Sequence, residues 1–316
     1  MSINNLLIHI GYPKTGTTWL QQHLFSDAVV GFTTPFRKGE IKRRLIKPNT
    51  LDFAAEACKK FFYPTLLAAN DSRTRQVISH ERFSGSIHSG GYDNGTLAKR
   101  LATIFPNAKV LIVIREQKSM LWSVYKQYIK MGGGCSLKDY LQPPYGKQFA
   151  GIGLFDLNHY RYHRLAGYYV RLFGAANVLV LPYERFTTTP QDFVRQIIHF
   201  CGLETSEEGL NKLPYTKREN VALSSFSVFI KRRTNILFTQ RGHLNHWVLF
   251  PIIRQSKSRR LFYRLDRVLP QPIKTMFEQA SHETIAAIAG ERYRESNSLT
   301  SKMFNLDLAQ YGYDMD

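Results

Sequence analysis

Hydrophobic residues in this chain gather into short, nearly continuous runs rather than alternating with polar ones. Four runs stand out: Leu6–Ile10, Gln76–Ser79, Val110–Ile114 and Val178–Leu181. A strand with one wet face alternates, whereas a strand covered on both faces is apolar throughout, so these runs predict buried strands of a parallel sheet. Helical spacing fills the stretches between them, for example over Leu97–Phe105 and Tyr160–Phe173. Just after the first run, Leu20 and Leu24 stand four apart on a further helical pattern. Strands alternating with helices predict an α/β fold, a parallel sheet flanked by helices on both faces. Ligands of such sheets bind beyond the carboxyl ends of the strands, so the segment after each run is where chemistry is expected.

The first of these segments reads Gly11-Tyr12-Pro13-Lys14-Thr15-Gly16-Thr17-Thr18-Trp19. A strand–loop–helix layout with two glycines sets consecutive backbone N–H groups at a helix N-terminus, a cradle for phosphate or sulfate. Its spacing is G-x-x-x-x-G, but the lysine that follows the second glycine in an ATP-type loop is replaced by Thr17. The lysine stands instead inside the loop, at position 14. This segment resembles the 5′-phosphosulfate loop of the sulfotransferases that use 3′-phosphoadenosine 5′-phosphosulfate (PAPS). The resemblance implies the P-loop-like sulfotransferase fold, with PAPS as donor. It implies that Lys14, Thr15, Gly16, Thr17 and Thr18 hold the 5′-phosphosulfate, and that Lys14 stabilises the moving sulfuryl group and the leaving phosphate.

The run Val110–Ile114 ends in Arg115, and Ser123 follows on a helical pattern set by Leu121, Val124, Tyr125 and Tyr128. An arginine fork at a strand end and a hydroxyl early in the next helix can grip one phosphate from two sides. This pair is similar to the 3′-phosphate site of the same family, which implies that Arg115 and Ser123 read the donor's 3′-phosphate. The order Arg115-Glu116-Gln117 departs from the family's pattern, which has proline two residues after the arginine.

Sulfuryl transfer to a hydroxyl needs a base for the acceptor proton. The strand Gln76–Ser79 runs into His80-Glu81-Arg82. Glu81 resembles the glutamate that serves as base in carbohydrate sulfotransferases, whereas the cytosolic small-molecule branch uses histidine, so His80 is the alternative. A working carboxylate base is expected to have its pKa raised by burial or by the sulfate beside it. Glu81 paired with Arg82 as an ordinary surface ion pair is the bland reading of the same residues. No metal is expected, because a sulfuryl group bears less charge than a phosphoryl group and Lys14 offsets it.

The resemblance continues through Tyr183-Glu184-Arg185-Phe186 and Phe200-Cys201-Gly202-Leu203, which read as scaffold, with Tyr183 and Glu184 tying a strand end to its neighbours. It implies donor contacts at Arg218 and Asn220, in a basic loop. The tail, Ser296-Asn297 through Tyr311-Gly312-Tyr313, resembles bacterial members that act on sugars.

Composition narrows the partners. The 316 residues carry a net charge of +19, which calls for an anionic partner. Residues 217–274 hold thirteen Lys or Arg against Glu219 and Asp266, a net of +11. Within them, residues 247–268 mix apolar and basic side chains, as a helix lying on an anionic membrane or a floor for an acidic glycan would. Cys58, Cys135 and Cys201 form neither a disulfide framework nor a metal-ligand cluster, which fits reduced thiols. With no leader and no membrane-spanning run visible, a cytoplasmic bacterial enzyme is expected, at most peripheral to the inner membrane face.

The expected organisation is a single sulfotransferase domain over 1–316 with basic insertions at about 31–70 and 221–275. The expected activity is sulfuryl transfer from PAPS to a hydroxyl of a carbohydrate or glycolipid. Two other classes compete: a P-loop nucleotide-dependent kinase, which the missing lysine disfavours, and a basic membrane- or nucleic-acid-binding protein without catalysis. No nucleic-acid motif appears, so nucleic acid is not an expected partner.

Overall fold

The structure, a computed structural model, describes residues 3–68, 73–143, 155–204, 206–217, 223–238, 266 and 269–316. The chain divides into two compact units. The first comprises Met1–Glu116, Asn158–Glu219 and Tyr293–Asp316, and the second comprises Gln117–Leu157 and Asn220–Arg292.

The first unit is built on a five-stranded parallel sheet. Its strands are β1 (Leu6–His9), β2 (Phe32–Thr33), β3 (Arg75–Ser79), β4 (Lys109–Ile114) and β5 (Val178–Pro182). Their spatial order is β2-β3-β1-β4-β5. Leu7 pairs with Val77 on one side and with Lys109 on the other, which fixes the register of the three central strands. The chain leaves β1 toward β3 and then returns to β4 on the opposite side, which makes the carboxyl end of β1 the switch point of the sheet.

Both faces are covered, as the continuous apolar runs predict. Leu7, Val77, Leu111, Val113 and Leu181 point into one core, shared with Trp19, Leu20, Leu24, Phe193 and Ile197. The alternate residues Leu6, Ile8, Ile78, Val110 and Ile112 are equally buried on the other face, where the helices Asn94–Ile104 and Tyr162–Phe173 pack. Four of the five strands coincide with the apolar runs to within a residue. The fifth, β2, was not expected: two residues on the edge of a sheet leave no periodicity to read.

The helix after β1 also departs from a plain α-helix. It runs over Thr17–Trp19 and widens into a π-turn at Leu20–Leu24, where Phe25 N–H donates to the Leu20 carbonyl at 2.7 Å. The extra residue in that turn lets Leu20, Leu24 and Phe25 all be buried in one core.

The second unit is helical among the described residues, with helices Gln117–Lys130, Leu137–Leu141, Ser225–Phe238 and Gln271–Ala289. Asp266, one of the two acids in the basic stretch, caps the helix Ser225–Phe238. Its carboxylate accepts from Ser224 N–H at 2.8 Å and from the Ser224 and Ser227 hydroxyls. Asn235 donates to the Ile129 and Gly133 carbonyls at 2.7 and 2.9 Å, tying that helix to the end of Gln117–Lys130. Apart from Asp266, the stretch 247–268 on which a membrane-facing helix was expected lies outside the described residues. No helix among the described residues is long and apolar enough to cross a membrane.

Candidate active site

Parallel pairing decides where the site forms. β3, β1 and β4 are neighbours running the same way, so the segments that follow them leave one edge of the sheet together. Those segments carry Glu81, the loop 11–16 and Arg115.

The loop after β1 closes on itself. The buried Thr15 hydroxyl donates to the Tyr12 carbonyl at 2.5 Å, and the Thr17 hydroxyl approaches the same oxygen at 3.5 Å. Tyr12 is fully buried, its ring packed among Tyr160, Tyr162 and His159. Lys14 and Gly16 both take φ of +73°, the left-handed region that a lysine rarely occupies. Alternating helical signs of this kind turn successive N–H groups toward one concavity, the arrangement that binds anions. The two glycines have different reasons. A side chain at Gly11 would come within 2.5 Å of His9 Nε2, and one at Gly16 would be strained by its φ and would meet the Tyr183 ring at 3.2 Å.

Arg115 joins this loop to β4. Its guanidinium donates to the Lys14 carbonyl at 3.1 Å and lies over the Tyr183 ring, 5.2 Å from the centroid. The backbone around it is fixed from two sides. Tyr162 O–H donates to the Arg115 carbonyl at 2.6 Å, and Glu116 N–H donates to Glu184 Oε1 at 2.9 Å. The other oxygen of Glu184 accepts from Tyr313 O–H at 3.0 Å, so the C-terminal tail closes the network. Burial pushes the Glu184 carboxyl up, against the opposing pull of these N–H and O–H groups and of Arg115. The expected role of Tyr183 and Glu184 in tying a strand end is met, and Tyr313 is a partner that sequence reading did not find.

Glu81 opens the turn after β3. Burial pushes its carboxyl up, but its own backbone N–H, His80, Lys38 and Gln21 together pull it below the usual range. The protein's own groups therefore do not supply the raised pKa expected of a base. The bland ion pair is not formed either: Arg82 pairs with Asp93 at 2.5 Å, and the cation facing Glu81 is Lys38, at 3.6 Å. His80 is committed elsewhere. Its Nδ1 accepts Arg82 N–H at 3.1 Å, capping the turn, and burial drives its pKa down to about 4.

Beneath the carboxylate lies a polar relay. Gln21 Nε2 donates to the Ser79 hydroxyl at 2.8 Å and is among the groups that hold the Glu81 carboxyl down. Ser79 Oγ is 2.8 Å from His9 Nδ1, and His9, fully buried, is held neutral with a pKa near 3, mainly by burial. His9 and Ser79 are partners in the strand register, and polar residues ending two apolar runs were the signal available for finding them.

Of the predicted site residues, Lys14, Thr15, Gly16, Thr17 and Thr18 form the loop, and Arg115 touches it. Glu81 follows the adjacent strand. Ser123 lies half-buried on the helix Gln117–Lys130 of the second unit. Arg218 and Asn220 fall outside the described residues.

A family model for sulfotransferases matches residues 7–207, which take in the loop, both strand ends and β5. The chain belongs to the sulfotransferase family. No curated protein matches it. Among solved structures, a sulfotransferase from Alicyclobacillus acidocaldarius is 18% identical, covering 75% of this chain and 94% of that one, with a TM-score of 0.48. The sulfotransferase domain of the curacin biosynthetic pathway is 13% identical over 69% of this chain and 80% of that one, at a TM-score of 0.41. The mouse sulfotransferase SULT7A1, complexed with PAP, is 15% identical over 67% of this chain and 63% of that one, at a TM-score of 0.34.

Proposed function

We propose that this sulfotransferase moves a sulfuryl group from PAPS to a hydroxyl of a carbohydrate or glycolipid acceptor, as a bacterial cytoplasmic enzyme. The observation that carries the donor assignment is the 3.1 Å bond from Arg115 to the Lys14 carbonyl. It sets a guanidinium fork against a loop of anion-binding geometry, which suits a donor with a phosphosulfate at one end and a second phosphate beside its ribose. The free thiols Cys58 and Cys201, both buried, fit a reducing compartment.

In the reaction the acceptor oxygen forms a bond to sulfur as the bond from sulfur to the 5′-phosphate oxygen breaks. The acceptor's proton passes to the Glu81 carboxylate. The bond electrons leave with 3′-phosphoadenosine 5′-phosphate (PAP), whose new charge Lys14 offsets. Glu81 is the better base of the two candidates because His80 already spends its Nδ1 lone pair on the Arg82 N–H.

Calorimetric titration with PAP, run beside ATP and magnesium, tests the donor. The expected result is that PAP binds more tightly than ATP and that Arg115→Ala weakens PAP by roughly 10- to 100-fold, the worth of one or two charged hydrogen bonds. Preference for ATP would replace this reading with a kinase.

A further inference from the structure

The order of strands along the sheet edge assigns its neighbourhoods. From β4 toward the β2 edge the segments follow as Arg115, the Lys14 loop, Glu81, and then the stretch that succeeds β2. That last stretch is the helix Lys38–Ile41 and the π-turn Lys42–Ile46. It therefore lies on the far side of Glu81 from the arginine assigned to the donor. A cation there is badly placed for the donor's 3′-phosphate and well placed for whatever Glu81 deprotonates.

This stretch is both strongly basic and firmly held. Arg37, Lys42, Arg43 and Lys47 line an open groove, and all four are exposed. Among the described residues no ion pair engages Lys42, Arg43 or Lys47. The one acid of the groove, Glu40, turns back to accept Arg37 N–H at 2.8 Å. Underneath, Phe36, Ile41 and Leu45 are buried. The buried Arg100 donates to the Leu45 and Pro48 carbonyls, both at 3.0 Å, so the cations project from a fixed backbone. Lys38 is the joint between groove and base: its Nζ is 3.6 Å from Glu81 Oε2, an exposed lysine facing a half-buried carboxylate, too long for a hydrogen bond and so open to exchange at the lysine end.

We propose that the acceptor is an acidic sugar, whose carboxylate or sulfate ester docks on Lys38, Lys42, Arg43 and Lys47 while a neighbouring hydroxyl meets Glu81. The sugar's anion then takes over Lys38, releasing the carboxylate for the incoming proton. This rests on the PAPS-dependent reading above and narrows its acceptor.

The test uses the full chain with PAP bound, in about 0.15 M salt so that exposed charges beyond roughly 8 Å are screened. Three probes of equal length are titrated: oligogalacturonate, a sulfated galactan oligosaccharide and a neutral galactan oligosaccharide. They are compared in the wild type, in Lys42→Ala/Arg43→Ala/Lys47→Ala, and in Arg164→Ala/Arg171→Ala/Lys302→Ala, which removes equal exposed charge elsewhere on the first unit. At least one acidic probe is expected to bind tenfold or more tightly than the neutral one. That preference is expected to vanish in the groove variant and to survive in the control, and the carboxylate and sulfate arms identify which anion is read. Equal binding of all three probes, a preference that survives the groove substitutions, or one lost equally in the control would overturn the proposal. PAP affinity is measured in every protein. Failure of the wild type to bind PAP would instead strike the donor reading, and intact PAP binding shows that each variant is folded.

Discussion

On the β4 side of Lys14 the sheet edge is tied down by half-buried bonds, three of them to backbone. Arg115 donates to the Lys14 carbonyl, Tyr162 to the Arg115 carbonyl, and Glu116 N–H to Glu184, which Tyr313 holds in turn. On the β3 side His80 caps the turn on Arg82 N–H, but the carboxylate of Glu81 is surrounded chiefly by other side chains. Glu81 faces the exposed Lys38 at 3.6 Å and leans on Gln21, which leans on Ser79. The first arrangement admits one geometry, as a site for an invariant phosphosulfate donor requires. The second can exchange partners at little cost, as a site for a variable hydroxyl acceptor requires. The contrast thus fits the proposed placing of donor and acceptor on opposite sides of Lys14.

Glu81→Gln gives the largest expected break between the two sides. It keeps the shape of the side chain and removes the proposed proton acceptor, so turnover is expected to fall by roughly 100- to 10,000-fold. PAP affinity, belonging to the other side, is expected to stay within a factor of two or so of the wild type, since no donor contact is touched. Single-turnover sulfation and PAP calorimetry on one preparation read both numbers. Persistent turnover would move the role of base to another group, with His80 the first to examine.

The two sides also differ in how readily the sequence discloses them. The Lys14 loop and Arg115 were legible because their residues are local: a glycine spacing, a lysine inside it, and an arginine ending an apolar run. Their supports were not. Tyr313 meets Glu184 across 129 residues, and no pattern in either segment announces the other. β2 was hidden by its length of two residues. The state of Glu81 was not legible: burial, one of the two causes expected to raise its pKa, is outweighed by its own N–H, His80, Lys38 and Gln21. The lysine is 43 residues upstream of the carboxylate and reaches it only because β2 lies beside β3.

Tyr313→Phe tests the rigidity of the β4 side. The substitution keeps the ring and deletes a bond to a mostly buried carboxylate, which costs about 1.5–3 kcal/mol. Urea unfolding is expected to show a loss of that size, with PAP binding weakened in the same direction because Glu184 no longer steadies the backbone between Arg115 and the following helix. An unchanged midpoint would mean that the tail rests on Glu184 without supporting it.

Lys38→Met is the matched substitution on the β3 side, and its expected effect is the smallest. It too deletes one contact to a carboxylate, but Lys38 is exposed and stands 3.6 Å from Glu81 Oε2, an ion pair without a hydrogen bond, so less is lost. Pairs with an exposed lysine contribute about 0–1 kcal/mol, and salt screening pushes the value toward the lower end. The urea midpoint is therefore expected to move less than it does in Tyr313→Phe, and its difference from the wild type to shrink further in added salt. The comparison is decided by the ratio of the two losses rather than by either alone, because both substitutions remove one polar partner from one carboxylate. If Lys38→Met costs as much as Tyr313→Phe, the β3 side is as rigid as the β4 side. Lys38 would then be a structural counter-ion of Glu81 and not a cation free to change partners.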